Sequence, residues 1–230
     1  MKKISIIVIL ILLIIYLVLN LNNESQQNSP ILEKYPWQVS ILPDGKTRVF
    51  GIVFNETTLN EVSSILKNNA TIALFESKEK LTKEKLSLEA YYKNITLGGL
   101  IGSFIFSLDA SEQQLQDFKK ESSKRKPGEN NNIRYELDKP TSDKARSLRV
   151  TNLIYIPTVQ LDESTIIKRF GKPAHKIKLK TKEKGWHYLY PEKGLDLIYK
   201  EEGKEVLQYV LPQKFNLLLE PLQSLQNQTR

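Results

Sequence analysis

The sequence predicts an α+β protein in which an N-terminal transmembrane helix precedes two tandem small units. Each unit is expected to pack one or two helices on an antiparallel sheet. Three observations support this fold class. An apolar run without a charged residue occupies Ile4–Leu19. Two later segments carry apolar residues at spacings of three and four, which is typical of helices that bury one face. Short stretches of alternating apolar and polar residues follow each of them, as in half-buried strands.

The apolar run predicts the compartment of the chain. It follows Met1-Lys2-Lys3, and lysines before an apolar segment hold the N-terminus on the cytoplasmic side. Residues 1–21 are interpreted as a membrane anchor or signal segment, in which residues 4–21 contact the inner membrane. Asn20–Ser25 contains no Ala or Gly for a cleavage site, which favours an uncleaved anchor over a cleaved signal peptide or a buried core helix. The predicted location is the bacterial inner membrane, single pass, with the C-terminal domain in the periplasm.

Composition shifts and turn signals divide the remainder of the chain. Polar residues without apolar periodicity indicate a tether, and a charged, Asn-rich stretch around Pro127-Gly128 indicates a linker or loop. The predicted segments are a tether at 22–34, a first α+β unit at 35–125, a linker at 126–149 and a second α+β unit at 150–230.

The first unit is expected to contain a hairpin, a helix, three strands and a second helix. Pro43-Asp44-Gly45 is a turn signal between two alternating stretches. Asn55 or Thr57 can cap the helix that follows, whose apolar residues form one stripe. The expected strands are 71–76, 86–92 and 98–108, and the second helix is 109–120.

The second unit repeats this order. Asp162-Glu163-Ser164-Thr165 opens a helix, and Gly171-Lys172-Pro173 closes it. Ile52–Leu59 matches Val159–Ile166 in residue type at nearly every position, which favours a duplication. Strands are expected at 150–159, 176–180, 186–190, 194–199 and 206–211, before a leucine-rich tail at 216–225.

Three short motifs of the second unit suggest a family. They are Leu161–Ile166, Arg169–Pro173 and Trp186–Tyr190. Together they resemble the SmpA/OmlA (BamE-type) outer-membrane assembly lipoproteins and the wider β-lactamase-inhibitor-protein-like domains, and Ile52–Leu108 does so more weakly. The resemblance implies a small helix-and-sheet fold and a binding role in the envelope, and it carries over no partner-contacting residue. The chain departs from the family because it has no lipobox Cys and its first copy lacks the Gly-x-Pro stop.

Composition argues against several kinds of chemistry. The absence of Cys excludes a disulfide scaffold, a thiolate metal site and a Cys nucleophile. His175 and His187 have no clustered Asp or Glu at ligand spacing, so neither a metal site nor acid–base catalysis is predicted. Gly98–Gly102 lacks the Lys-Ser/Thr ending of a phosphate loop. We therefore expect no enzymatic activity and no cofactor.

Two sets of side chains are candidates for binding. Trp186, Tyr188 and Tyr190 alternate along one strand and share a face, so they form either part of the core or an aromatic binding surface. Tyr35 and Trp37 are a second such pair. The net charge of +8 is concentrated in two basic clusters, which are either anion-binding surfaces or solvated ones. The clusters are Lys119, Lys120, Lys124, Arg125 and Lys126, and Lys176, Lys178, Lys180, Lys182 and Lys184.

These features predict a function without catalysis. The expected protein is a membrane-anchored periplasmic interaction module in envelope assembly or maintenance, with an envelope protein as its partner. The alternative is a periplasmic lipid- or glycan-binding protein that uses a Lys-rich face toward anionic lipid or glycan. Export argues against nucleic acid as a partner.

Overall fold

The computed structural model describes residues 33–77, 85–122, 124–128, 132–179 and 184–227, apart from the side chains of 224–227. Three short strands form a small antiparallel sheet: β1 (Val39–Ile41), β2 (Thr47–Val49) and β3 (Ile52–Val53). Ten strands form a large antiparallel sheet: β4 (Thr71–Ser77), β5 (Lys85–Leu97), β6 (Leu100–Leu108), β7 (Lys124–Pro127), β8 (Ile133–Glu136), β9 (Val150–Pro157), β10 (His175–Lys178), β11 (Gly185–Tyr190), β12 (Leu195–Lys200) and β13 (Val206–Tyr209).

Five short α-helices accompany the sheets in the described part of the chain. They are α1 (Leu59–Leu66), α2 (Glu112–Lys120), α3 (Lys139–Ala145), α4 (Glu163–Phe170) and α5 (Asn216–Asn227). Side-chain caps begin α1 to α4. Thr58, and not the predicted Asn55 or Thr57, caps α1 in a capping box with Glu61. Asp162 caps α4, as predicted. Hydrogen bonds from Ser164 and from the backbone and hydroxyl of Thr165 lower the pKa of Asp162 to about 2.

The large sheet joins both halves of the chain. Its strand order is β10-β11-β12-β13-β9-β6-β5-β4-β8-β7. Tyr155 of β9 lies opposite Leu207 of β13 on one side and opposite Phe104 of β6 on the other. The predicted fold class is therefore wrong: the structure is mostly β, with one continuous sheet in place of two α+β units behind a transmembrane helix. The helices have clear local patterns but are short, whereas the pairing of β9 with both neighbours joins residues far apart in sequence and leaves no local pattern.

The structure describes some of the predicted segments and leaves others outside the described residues. Among the described residues, no helix is both long enough and apolar enough to cross a membrane. Residues 4–21, for which the sequence predicts the anchor, lie outside the described residues, as does the tether up to Leu32. The segment 126–149, predicted as a linker, contains β8 and α3. The leucine-rich tail forms α5, with Pro221 inside the helix.

Each half of the chain leads from a helix into an antiparallel meander. After α1, strands β4, β5 and β6 approach β9 from one side of the sheet. After α4, strands β10 to β13 approach β9 from the opposite edge. The first meander has three strands and the second has four. A duplication of the two halves stays a prediction.

One face of the large sheet, here called the core face, packs against most other elements. It carries Phe104 and Tyr155, both almost fully buried. Phe50, between β2 and β3, lies 5.0 Å from the Phe104 ring and 5.1 Å from the Tyr155 ring, so the small sheet covers this face. Helix α1 reaches the same face through a 2.8 Å hydrogen bond between Ser63 and Tyr92.

The opposite face, here called the open face, contacts α5. Leu189 of β11 and Ile177 of β10 form a small apolar cluster with side chains of this helix. The helical members of the cluster are Leu218, Leu219 and Leu222. Helix α5 thus lies over the β10–β11 end of the open face.

Gly102 provides a test of packing on the core face. A Cβ atom there would lie 2.7 Å from Tyr155 Cζ and closer still to Cε2. The Tyr155 ring is held between Phe50 and Phe104 and has little room to move. We expect Gly102→Ala to lower the free energy of unfolding by about 1–3 kcal/mol, as overpacked cores do. Urea denaturation measures this. The control Ser103→Ala, on the open face, is expected to change the free energy of unfolding by less than about 0.5 kcal/mol. Equal losses of stability in the two variants would contradict the tight packing of Gly102 against Tyr155.

Candidate protein-binding face

The open face carries a row of half-buried apolar side chains across six neighbouring strands. We call this row the apolar strip. Each member is a sequence neighbour of a buried core side chain and therefore points to the other face of the sheet. At about 4.8 Å between strands, the strip is about 24 Å wide. Its members are Phe75 of β4, Tyr91 of β5, Ile105 of β6, Ile154 and Ile156 of β9, Val206 of β13 and Ile198 of β12.

Strand register makes the strip continuous from β5 to β9, beyond which Gln208 of β13 lies opposite Ile154. Ile105 lies opposite both Tyr91 and Ile154, and Val206 lies opposite Ile198. Directly opposite side chains have Cβ atoms about 4.5–5.5 Å apart. At one end, the Phe75 and Tyr91 rings are 5.9 Å apart. In the described part of the chain, α5 contacts this face beyond the strip, at β10 and β11. The strip thus presents a contiguous apolar surface on β4, β5, β6 and β9 at the centre of the sheet, and Val206 and Ile198 lie on the other side of Gln208.

The carboxylates of the open face are engaged within the domain. Each accepts a hydrogen bond from a neighbouring side chain, and the one from Lys126 lowers the pKa of Glu136. The pairs are Glu89 with the Tyr91 hydroxyl, Glu136 with Lys126 Nζ at 2.6 Å, and Asp196 with His187 Nδ1 at 2.8 Å.

Cations flank the strip on its β4–β8 side. Arg134 of β8 lies opposite Phe75, and its Nε is buried without a hydrogen-bond partner among the described residues. Lys85 of β5 is exposed opposite Ser77. With its carboxylates paired, the open face has an excess of positive charge beside the apolar strip.

A buried histidine–aspartate pair, which was not predicted from the sequence, lies on the open face next to the strip. His187 is 9% exposed and Asp196 is 2% exposed. Burial raises the pKa of Asp196, and the hydrogen bond from His187 opposes that rise. Such burial favours a structural role for the pair in holding β11 against β12. The described residues contain no group of three or more His, Asp or Glu that could hold a metal ion.

Two of the predicted binding aromatics belong to the core. Tyr188 is 1% exposed and Tyr190 is 5% exposed. Trp186, on the same face, is half-buried. Lys176 Nζ lies 4.5 Å from the Trp186 ring centroid, 5.0 Å from that of Tyr188 and 2.8 Å from Glu163 Oε1. The candidate anion-binding Lys176 and the candidate aromatic Trp186 therefore contact each other.

The other predicted aromatic pair, Tyr35 and Trp37, lies in the segment before β1 and helps to hold this segment against the rest of the domain. The rings of Tyr35 and Trp37 stack in parallel at 4.9 Å, and the Arg169 guanidinium lies 4.9 Å from the Trp37 ring. Between them, the Pro36 carbonyl accepts a 2.7 Å hydrogen bond from Tyr209. Tyr35 remains 36% exposed, the Trp37 ring contacts α4, and the Pro36 carbonyl joins this segment to β13.

The two basic clusters lie on opposite edges of the sheet. Lys124, Arg125 and Lys126 belong to β7, whereas Lys176 and Lys178 belong to β10. Lys119, in α2, pairs with Glu76 at 3.1 Å. The other predicted members are placed as follows: Lys120 is exposed 3.9 Å from Asp117, Lys184 is exposed, and Lys180 and Lys182 lie outside the described residues. The structure does not bring the clusters together.

Comparison of the chain with protein-family models, curated proteins and solved structures found no match. The resemblance of its second half to the SmpA/OmlA group stays a prediction.

Glu205, just before β13, is a buried carboxylate that forms no ion pair with the described residues. The residue is fully buried, and neither side-chain oxygen has a hydrogen-bond partner in the described part of the chain. Burial raises the pKa of Glu205, and the nearby backbone N–H groups of Glu205 and Leu161 offset only part of this rise. A raised pKa in the folded state means that folding favours the protonated form. Stability should therefore be lost as pH rises through the folded-state pKa.

We expect Glu205→Gln to raise the free energy of unfolding at pH 7 by about 1 kcal/mol, because a buried unpaired charge is removed. Chemical denaturation at several pH values measures this. The difference from the wild type should vanish below the ordinary Glu pKa of about 4.3, where both folded and unfolded Glu205 are protonated. Glu202→Gln, at an exposed neighbouring position, should have little effect. A destabilising Glu205→Gln, or a gain that does not depend on pH, would refute this account.

Proposed function

We propose that this protein is a non-enzymatic interaction module of the cell envelope, which binds an anionic protein surface through the open face of its large sheet. The observation that carries the proposal is the apolar strip across six neighbouring strands. Contiguous apolar surface on a soluble domain commonly marks an interaction site. The strip combines aliphatic side chains with Phe75 and Tyr91, a composition that suits the centre of a protein–protein interface.

Charge favours a protein partner with acidic residues around an apolar centre. The carboxylates on the open face are held by Tyr91, Lys126 and His187, whereas Arg134 and Lys85 flank the strip. Complementary charge at the rim of an interface speeds association and sets its orientation. The basic clusters favour lipid or glycan less, since Lys119, Lys126 and Lys176 each pair with a carboxylate of the domain.

The N-terminal sequence supports a location in the cell envelope. Lys2 and Lys3 precede the apolar residues 4–19, as in segments that direct export. The domain would then lie on the exported side and act on partners of the envelope.

Site-specific photo-crosslinking in cells tests the proposed surface. A photoreactive amino acid replaces Ile105 or Ile156 in the full chain, and the controls carry it at Ile41 or Ile167. The control residues are exposed apolar side chains outside the strip. We expect one discrete protein adduct from the strip positions and none from the controls. Adducts from the controls alone, equal adducts from all four positions, or no adduct from the strip would contradict the proposal.

The captured partner then permits a quantitative test with purified proteins. Ile154→Asp places a negative charge at the centre of the strip, where an anionic partner would repel it. We expect this change to weaken binding by about tenfold or more, as changes at interface centres do. The matched control Ile167→Asp should change the dissociation constant by less than about twofold. Unfolding midpoints of both variants establish that the domain is intact, and equal weakening by both changes would exclude the open face as the interface.

A further inference from the structure

A groove runs beside the edge strand β10, on the open face but separate from the apolar strip. It has a volume of about 450 Å³. Residues of β10 and the residue before it line the groove together with residues of α5. The lining residues are Ala174, His175, Lys176, Ile177, Leu219 and Gln223. A groove between a sheet edge and a helix has the shape in which extended peptides bind by adding a strand.

The backbone of β10 has hydrogen-bonding groups for such a peptide. Leu179 donates to the Gly185 carbonyl at 3.0 Å, in register with the β10–β11 pairing. Because bonded and non-bonded positions alternate along an antiparallel strand, His175 and Ile177 direct their backbone groups toward β11. The N–H and C=O groups of Lys176 and Lys178 then point away from it. In the described part of the chain, β10 has no strand on that side.

The side chains around the groove define the chemistry of its occupant. Ile177 and Leu219 belong to one apolar cluster and provide an apolar floor. His175 is exposed in the groove, whereas Lys178, opposite Trp186 on the core-face side of β10, is exposed and has no ion pair among the described residues. A peptide with alternating apolar and acidic side chains would place the former on the floor and the latter near Lys178. A second copy of β10 would instead bring lysines opposite lysines, which is unfavourable.

We propose that the groove between β10 and α5 binds an extended acidic peptide segment of a partner protein, which pairs with the outer edge of β10 as an added strand. The site is independent of the apolar strip, so either surface can fail its test without affecting the other. Affinity comes from main-chain hydrogen bonds, and selection comes from the apolar floor and the basic edge.

The test uses the full chain in detergent and fluorescein-labelled octapeptides in which Glu alternates with Val, Ile or Tyr. A second peptide set carries Lys in place of Glu. Fluorescence anisotropy measures binding. We expect Glu peptides to bind and Lys peptides to bind at least about tenfold more weakly, which corresponds to 1.4 kcal/mol. Absence of binding by the Glu set, or equal binding of the two sets, would overturn the proposal.

N-methylation distinguishes strand addition from general attraction between charges. Two isomers of the tightest peptide carry methyl groups on alternate amides, one isomer on the odd positions and the other on the even positions. A strand added to β10 directs only one set of amides toward it. We therefore expect one isomer to lose at least about tenfold in affinity and the other to lose less than about twofold. Equal losses would exclude strand addition.

A matched pair of variants locates the peptide. Leu219→Gln makes the floor of the groove polar, whereas Leu217→Gln changes a 63% exposed residue of the same helix outside the groove. We expect the first to weaken peptide binding at least about fivefold and the second to leave it unchanged within about twofold. Circular dichroism melting checks that α5 forms in both. Equal effects of the two changes would place the peptide elsewhere and overturn the assignment.

Discussion

Strand β9 is hydrogen-bonded along both of its edges, and this double pairing determines the character of both faces of the sheet. Antiparallel pairing places directly opposite residues on the same face. Tyr155 therefore aligns Phe104 and Leu207 on the core face, while Ile154 aligns Ile105 on the open face. A register slip of one residue would move the side chains of the core face to the open face and those of the open face to the core face. The buried core and the apolar strip thus depend on one register.

Local patterns in the sequence predict most individual elements, because these patterns report the alternation of a strand or the cap of a helix. Asp162 shows this for α4, whose cap and end follow from adjacent residues. Strand pairing is different, since it depends on contacts between distant residues. Tyr155 and Leu207 are far apart in sequence, and nothing near either residue specifies the other. The two halves were accordingly predicted as separate units, although they share one sheet.

The site was harder to predict than the strands for a related reason. Phe104-Ile105-Phe106 is apolar throughout, so alternation alone does not show which row is buried. Trp186 and Tyr188 do share a face, but their burial depends on the neighbouring strand, where Leu197 lies opposite Tyr188. The histidine–aspartate pair had a usable signal. A hairpin turn at Pro191–Gly194 would place His187 and Asp196 on one face as diagonal neighbours.

The edges of the sheet give the basic clusters a physical role. An edge strand exposes unpaired N–H and C=O groups, and lysine or proline there discourages pairing with another copy. Strand β7 reads Lys-Arg-Lys-Pro, and β10 reads His-Lys-Ile-Lys. A chain with a net charge of +8 thus has basic residues at both edges where its own sheets could associate. The repulsion acts between like charges only, so the same lysines attract an acidic strand. Beside β10, where α5 adds apolar side chains, the lysines that oppose self-association therefore also favour an acidic partner.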